Sequence, residues 1–173
     1  APDAVLNREV LLFPKGFSLE SYKLVFENKR IFKAYGNTLF YVGAGTAINL
    51  LLTLPAAYAL SRREFVLRRP ITAFITMTLL FAGGMIPNFM LIVRLGLYNT
   101  RWAILLPGAV SAWNLIIARN YFETSVPPAI VESARIDGAN DIVILVGIVL
   151  PLSLPVLSVM ILFYAINYWN SWF

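Results

Sequence analysis

The charged residues of this chain leave four long uncharged intervals, 34 to 61, 70 to 93, 102 to 118 and 142 to 173. An α-helix rises about 1.5 Å per residue, so about 20 apolar residues cross a hydrocarbon layer of roughly 30 Å. The pattern therefore predicts four membrane-spanning helices, over about 36–60, 71–93, 103–119 and 144–167. The third interval is the shortest, and Arg101 and Arg119 at its ends can extend towards headgroups to make it sufficient. Pro55, Pro87, Pro107, Pro151 and Pro155 fall within or near these segments. Neighbouring helices and hydroxyls can re-satisfy the carbonyls they free, so the prolines read as kinks. Small residues at 43–47 and 82–84 let helix backbones approach closely, as in a packed bundle.

The segments between these intervals set the expected topology. Arg62, Arg63, Arg68 and Arg69 crowd one short hairpin loop, which the positive-inside rule places in the cytoplasm. Parity then puts 1–33 and 94–101 outside and 119–141 inside. Lys and Arg total six inside and eight outside, so the dense loop decides, because long segments cross largely regardless of charge. Residues 1–33 contain no spanning run and read as an extracytoplasmic loop. A short amphipathic helix starting at Ser18 would put Leu19, Tyr22, Val25 and Phe26 on one face. All of residues 1–173 read as one transmembrane domain.

Composition agrees with the pattern. The chain has 173 residues, 59% hydrophobic and 13% charged, where a soluble domain carries about a quarter charged residues. The mean hydropathy of +0.73 and the 12 Phe, 8 Tyr and 4 Trp also exclude a disordered chain. Cys and His are both absent, which removes disulfides, thiolate or imidazole metal sites and Cys- or His-based nucleophilic catalysis. The net charge of +5 does not point to nucleic acid, since the one cluster of basic residues flanks a predicted span. No carboxylate lies inside a span, which disfavours an integral-membrane enzyme and a proton-coupled carrier.

The loop 119–141 is polar and too long for a simple turn. Ser125 is expected to cap a helix whose first turn takes Pro127 and Pro128, and Gly138 is expected to end it. Ile130, Val131 and Ala134 would share one side, and Glu132 and Arg135 would pair at i, i+3. Asn140 or Asp141 would cap the next helix. The product is a helix, a sharp bend and a second helix. Such a shape either inserts into a groove of another protein or rests on headgroups.

Glu132-Ser133-Ala134, Gly138, and then Ile148, Leu150 and Pro151 stand at the spacing of a known signature. It resembles that of the inner-membrane permeases of binding-protein-dependent ABC importers: Glu-Ala-Ala, then Gly, then Ile-x-Leu-Pro. Ser133 stands where that family usually has Ala. The string Ala134-Arg135-Ile136-Asp137-Gly138-Ala139 is similar to the carbohydrate-importing, maltose-permease-like branch. Residues 81–87 and 106–110 are similar to its LplC-type members, which serve complex oligosaccharides.

The resemblance implies an all-α, polytopic bundle of the MetI-like permease fold, of which this chain holds about four of six spans. It implies a multi-pass protein of the bacterial inner membrane. Its partners would be a second permease, two ATPase subunits, an extracytoplasmic solute-binding protein and a sugar or oligosaccharide. The loop 120–141 would dock on the ATPase. Glu132 would supply a charged contact, Ser133 and Ala134 a small face, and Gly138 the bend. Arg135, Asp137 and Ala139 would complete the loop, while Ile148, Leu150 and Pro151 anchored it to the next span. ATP and magnesium would bind the partner ATPases, as this chain carries no Gly-x-x-x-x-Gly-Lys-Ser/Thr loop and would bind no cofactor itself. The loop signature is shared across solute classes, so peptide and polyamine permeases are the alternatives.

Asn167, Trp169, Asn170 and Trp172 offer amides and aromatic rings at the end of the last span. They read either as a sugar pathway or as an aromatic belt at the membrane interface.

Overall fold

The computed structural model describes residues 19–81 and 83–171, and every regular element among them is helical. The chain divides into two compact units, 1–39 and 40–173. In the first, helix α1 (Glu20–Glu27) ends at Asn28, whose extended backbone breaks it from α2 (Lys29–Ser61). The Asn28 side chain accepts from the Arg30 N–H at 3.0 Å, capping α2. Leu19, Tyr22, Val25 and Phe26, the expected apolar face, are all exposed. Residue 18, the expected start of that helix, lies outside the described residues.

The second unit departs from four straight spans, and the reason each time is a proline, a glycine or a cap. Helix α2 is continuous through Pro55 and begins seven residues before the expected span. Over 71–93 the chain forms α3 (Arg68–Leu80) and α4 (Met85–Arg94), bent by 119°. Gly84 lies in this break at φ +82, a conformation that strains any residue with a Cβ.

The expected span over 103–119 is not continuous either. It is a single turn, α5 (Trp102–Leu105), an irregular stretch containing Pro107 and Gly108, and then α6 (Ala112–Ser125). Ser111 is extended and its hydroxyl accepts from Asn114 N–H at 3.4 Å, so a new helix starts where the pattern predicts an old one to continue.

In the last interval, α8 (Asp141–Ile144) passes through a π turn at Leu145–Val149 into α9 (Leu150–Leu152). An 89° bend at Ser153 leads to α10 (Leu154–Trp169). Pro151 and Pro155 cannot donate to the carbonyls four residues before them, which frees the backbone to widen and then turn. Among the described residues one helix, α2, is long and apolar enough to cross a membrane, and three segments are if each bent pair is one span.

The core of this unit joins Leu54, Ala57 and Tyr58 of α2 to Ala118 and Phe122 of α6 and to Ile144, Val149, Val156 and Met160. Val131 and Ala134 of α7 (Pro128–Ile136) close it. The core therefore lies directly beneath the 120–141 loop and gives that loop a packed base.

Candidate functional site: a helix–bend–helix surface

Three local signals build the loop. Pro127, extended, precedes α7, and Pro128 occupies the first turn, where a missing N–H has no intrahelical partner to lose. Ser125 does not cap this helix. It is the last residue of α6, so the preceding helix reaches further than its apolar pattern does.

The far end closes with a paired backbone motif. Ala139 N–H donates to Ala134 C=O at 2.9 Å and Gly138 N–H to Arg135 C=O at 3.0 Å, with Gly138 at φ +84. This satisfies two carbonyls that a helix end otherwise leaves unpaired. Asn140 then accepts from Val143 N–H at 2.9 Å and starts α8, so four residues separate the two helices.

Val131 and Ala134 point into the core at 3% and 8% exposure, whereas Glu132, Ser133, Asp137 and Gly138 are exposed. Ile130, expected on the buried side, is 38% exposed. Ser133 and Ala134 do not form one small face: adjacent residues on a helix diverge by about 100°, and only Ala134 is taken by the core. Ala139 is half-buried against that same core, as are Ile148 and Leu150, while Pro151 is exposed.

Arg135 does not pair with Glu132. Its guanidinium bridges two other carboxylates, Glu64 in the Arg-rich hairpin and Asp141 at the start of α8, the latter at 3.1 Å. Hydrogen bonds donated to the Glu64 and then the Asp141 carboxylate hold its pKa above an already high ordinary value.

A second ionic link runs parallel. Glu123 accepts from Arg119 at 2.7 Å and from Arg68 at 3.5 Å. Two main-chain contacts reinforce it, Arg62 to Phe122 C=O at 3.1 Å and Arg119 to Leu60 C=O at 3.2 Å. The 62–69 hairpin and the 119–141 loop therefore occupy one end of the unit. Parity of spans predicts the same side, but Glu64 as the bridging group is not visible in the sequence, because it is 71 residues from Arg135 and carries no local signal.

At the chain's other candidate, Asn167, Trp169 and Asn170 are exposed, and Trp172 lies outside the described residues. Tyr168 is buried, and its hydroxyl stands 3.1 Å from the Asn49 amide in either orientation of that amide. One turn away, Thr53 and Tyr164 share a hydrogen bond of 2.7 Å. Asn49 and Thr53, like Tyr164 and Tyr168, are four apart, so each pair forms one helix face. That matched spacing of uncharged polar residues inside two spans was the available signal for this seam.

The sequence profile described as "Binding-protein-dependent transport system inner membrane component" matches residues 37–172. The chain is 42% identical over 170 residues to the polygalacturonan/rhamnogalacturonan transport system permease protein YtcP of Bacillus subtilis (strain 168). It covers 98% of this chain and 59% of that protein. Protein LplC of the same organism is 40% identical over 96% of this chain and 56% of its own length. Among solved structures, a bacterial ABC transporter involved in the import of the acidic polysaccharide alginate matches with a TM-score of 0.90 at 40% identity. That match covers 95% of this chain and 58% of that one. The chain thus spans less than three fifths of the length of these relatives. With the profile matching most of its length and the helical fold superposing on a transporter subunit, the chain belongs to the family of binding-protein-dependent transport system inner membrane components, a family of ABC permease subunits.

Proposed function

We propose that this chain is part of a multi-pass permease subunit that forms half of the translocation pathway of an ATP-driven importer for a sugar or oligosaccharide. It works with a second permease, two ATPase subunits that hold ATP and magnesium, and an extracytoplasmic solute-binding protein. Two of the relatives named above, whose names specify polygalacturonan/rhamnogalacturonan and alginate, support the solute class.

One observation carries the mechanical part. The 128–141 segment buries Val131 and Ala134 in the core and presents Glu132, Ser133 and Asp137 outward. A surface element so anchored can receive a push from a partner without folding back on itself. The partner's nucleotide-driven closure moves α7, and the shared core passes that displacement to α2, α6 and the helices after the bend.

The test places a single Cys at Ser133, in the exposed row, within the full-length permease cleared of any other Cys and co-expressed with its ATPase. A site-specific crosslink to the ATPase whose yield changes with ATP is the expected result. If Ser133→Cys is folded and membrane-inserted but captures no ATPase in any nucleotide state, the importer reading loses its coupling element.

A further inference from the structure

At the end of the second unit opposite the ionic loops lies a cavity of about 620 Å³, lined by Tyr41, Phe89, Tyr98, Asn99, Thr100 and Arg101 among others. Tyr41 stands 20 residues before Ser61 on the same helix, which separates this cavity from the Arg-rich hairpin by about 30 Å along the axis. Its walls are aromatic: Phe89 and Tyr98 meet edge to face at 6.0 Å, and both are more than half exposed. Asn99 holds a left-handed backbone conformation at φ +59, where Asn is tolerated better than most residues. The Arg101 guanidinium lies 4.7 Å above the Phe40 ring, a contact that orients the fork without using its hydrogen-bond donors.

Among the described residues no carboxylate pairs with the arginines at this end of the unit. Between residues 40 and 171 there are five carboxylates, Glu64, Glu123, Glu132, Asp137 and Asp141, all in the two loops at the other end. Arg94 and Arg101 are the charged residues between 70 and 118. Neither takes part in an ion pair among the described residues. Arg101 at an aromatic cavity on the far side from the hairpin offers its guanidinium fork to an anion. Aromatic faces stack against sugar rings, an amide bonds hydroxyls, and a guanidinium fork matches a carboxylate.

From these groups we infer that the cavity is an entry site for an oligosaccharide whose rings carry carboxylates, with Arg101 as its charge-selecting residue and Tyr98 and Phe89 as the stacking platform. The inference rests on the importer reading and adds the class of sugar and where it is first met. Ionic strength modulates it, since an exposed charge contact is screened by salt.

Binding is measured calorimetrically on the full-length importer complex, purified without its solute-binding protein, using trigalacturonate and neutral maltotriose. The acidic trisaccharide is expected to bind about ten-fold more tightly at low salt, the scale of one charge-assisted hydrogen-bonded pair. Arg101→Gln is expected to erase that preference and leave maltotriose unchanged, whereas Tyr98→Ala weakens both. Equal binding of the two sugars, no binding of either, or a preference that survives Arg101→Gln overturns the site. So does an Arg101→Gln variant whose only defect is docking of the solute-binding protein, which would make this basic surface a protein contact. An ATPase crosslink at Ser133 alongside any of those results leaves the importer reading standing, so the two failures are separable.

Discussion

Gly45 and Gly43 lie two positions apart on α2 and have opposite requirements. A Cβ built on Gly45 overlaps the ring of Tyr168, whereas one on Gly43 meets nothing within 4 Å. The close approach lets the Tyr168 hydroxyl reach Asn49, which is fully buried. Gly45→Val is therefore expected to cost about 1–3 kcal/mol, the range for forcing volume into a packed site. Gly43→Val is expected to be nearly neutral. Thermal unfolding of the two variants in the same detergent checks this, and equal midpoints would disprove the close packing of α2 on α10. In the sequence both glycines read only as small residues at a helix interface. What separates them is which ring lies opposite, and that is fixed by contacts more than 100 residues apart in the chain.

At the scale of elements, the 128–141 loop is the most legible part of the chain, because its signals are local. A proline in the first turn, a glycine after the last and an asparagine before the next helix each act within about four residues. The pairing of Arg135 is not legible in this way. A lone guanidinium with carboxylates three before it and six after it has several possible partners, and the tertiary structure selects Glu64 and Asp141. Arg135→Met is expected to release the 62–69 hairpin while α7, held by Val131 and Ala134, stays folded. Amide exchange at Glu64 and Phe65 should then quicken several-fold, with little change over Val131–Ala134. Unchanged exchange in the hairpin would show that the Arg119 and Arg62 main-chain contacts suffice. Arg135→Lys should behave much like Arg135→Met, since a point charge does not span two carboxylates as a planar fork does. The folded-state pKa of Arg135 is raised, so the stability it contributes is fully present below its unfolded pKa and is lost only as pH rises through the folded one. Through the neutral range, titration of the arginine does not weaken the clamp.

For the whole molecule, the ionic contacts between the 62–69 hairpin and the 119–141 loop require both to face the same side of the membrane. The aromatic cavity with Asn99 then faces the other. Single Cys residues at Arg63, Ser133 and Asn99, all exposed, test this with a membrane-impermeant maleimide on intact and inverted vesicles. Arg63→Cys and Ser133→Cys are expected to label together, and Asn99→Cys only from the opposite side. Labelling of Arg63→Cys and Ser133→Cys from different sides would contradict the ion pairs.

The sequence by itself determined that this chain is a helical membrane protein, where its polar loops fall, and, through one spaced signature, its family. Each of these depends on composition, or on residues close together or at fixed spacing along the chain. Only the tertiary structure decided that three of the four apolar intervals are broken or bent. Hydropathy reports whether a segment tolerates lipid, and it is nearly blind to whether Gly84, Ser111 or Pro155 redirects the backbone within it. The tertiary structure also decided that Tyr168 is buried, because burial of a polar group depends on a partner, here Asn49, that 119 residues of chain separate from it.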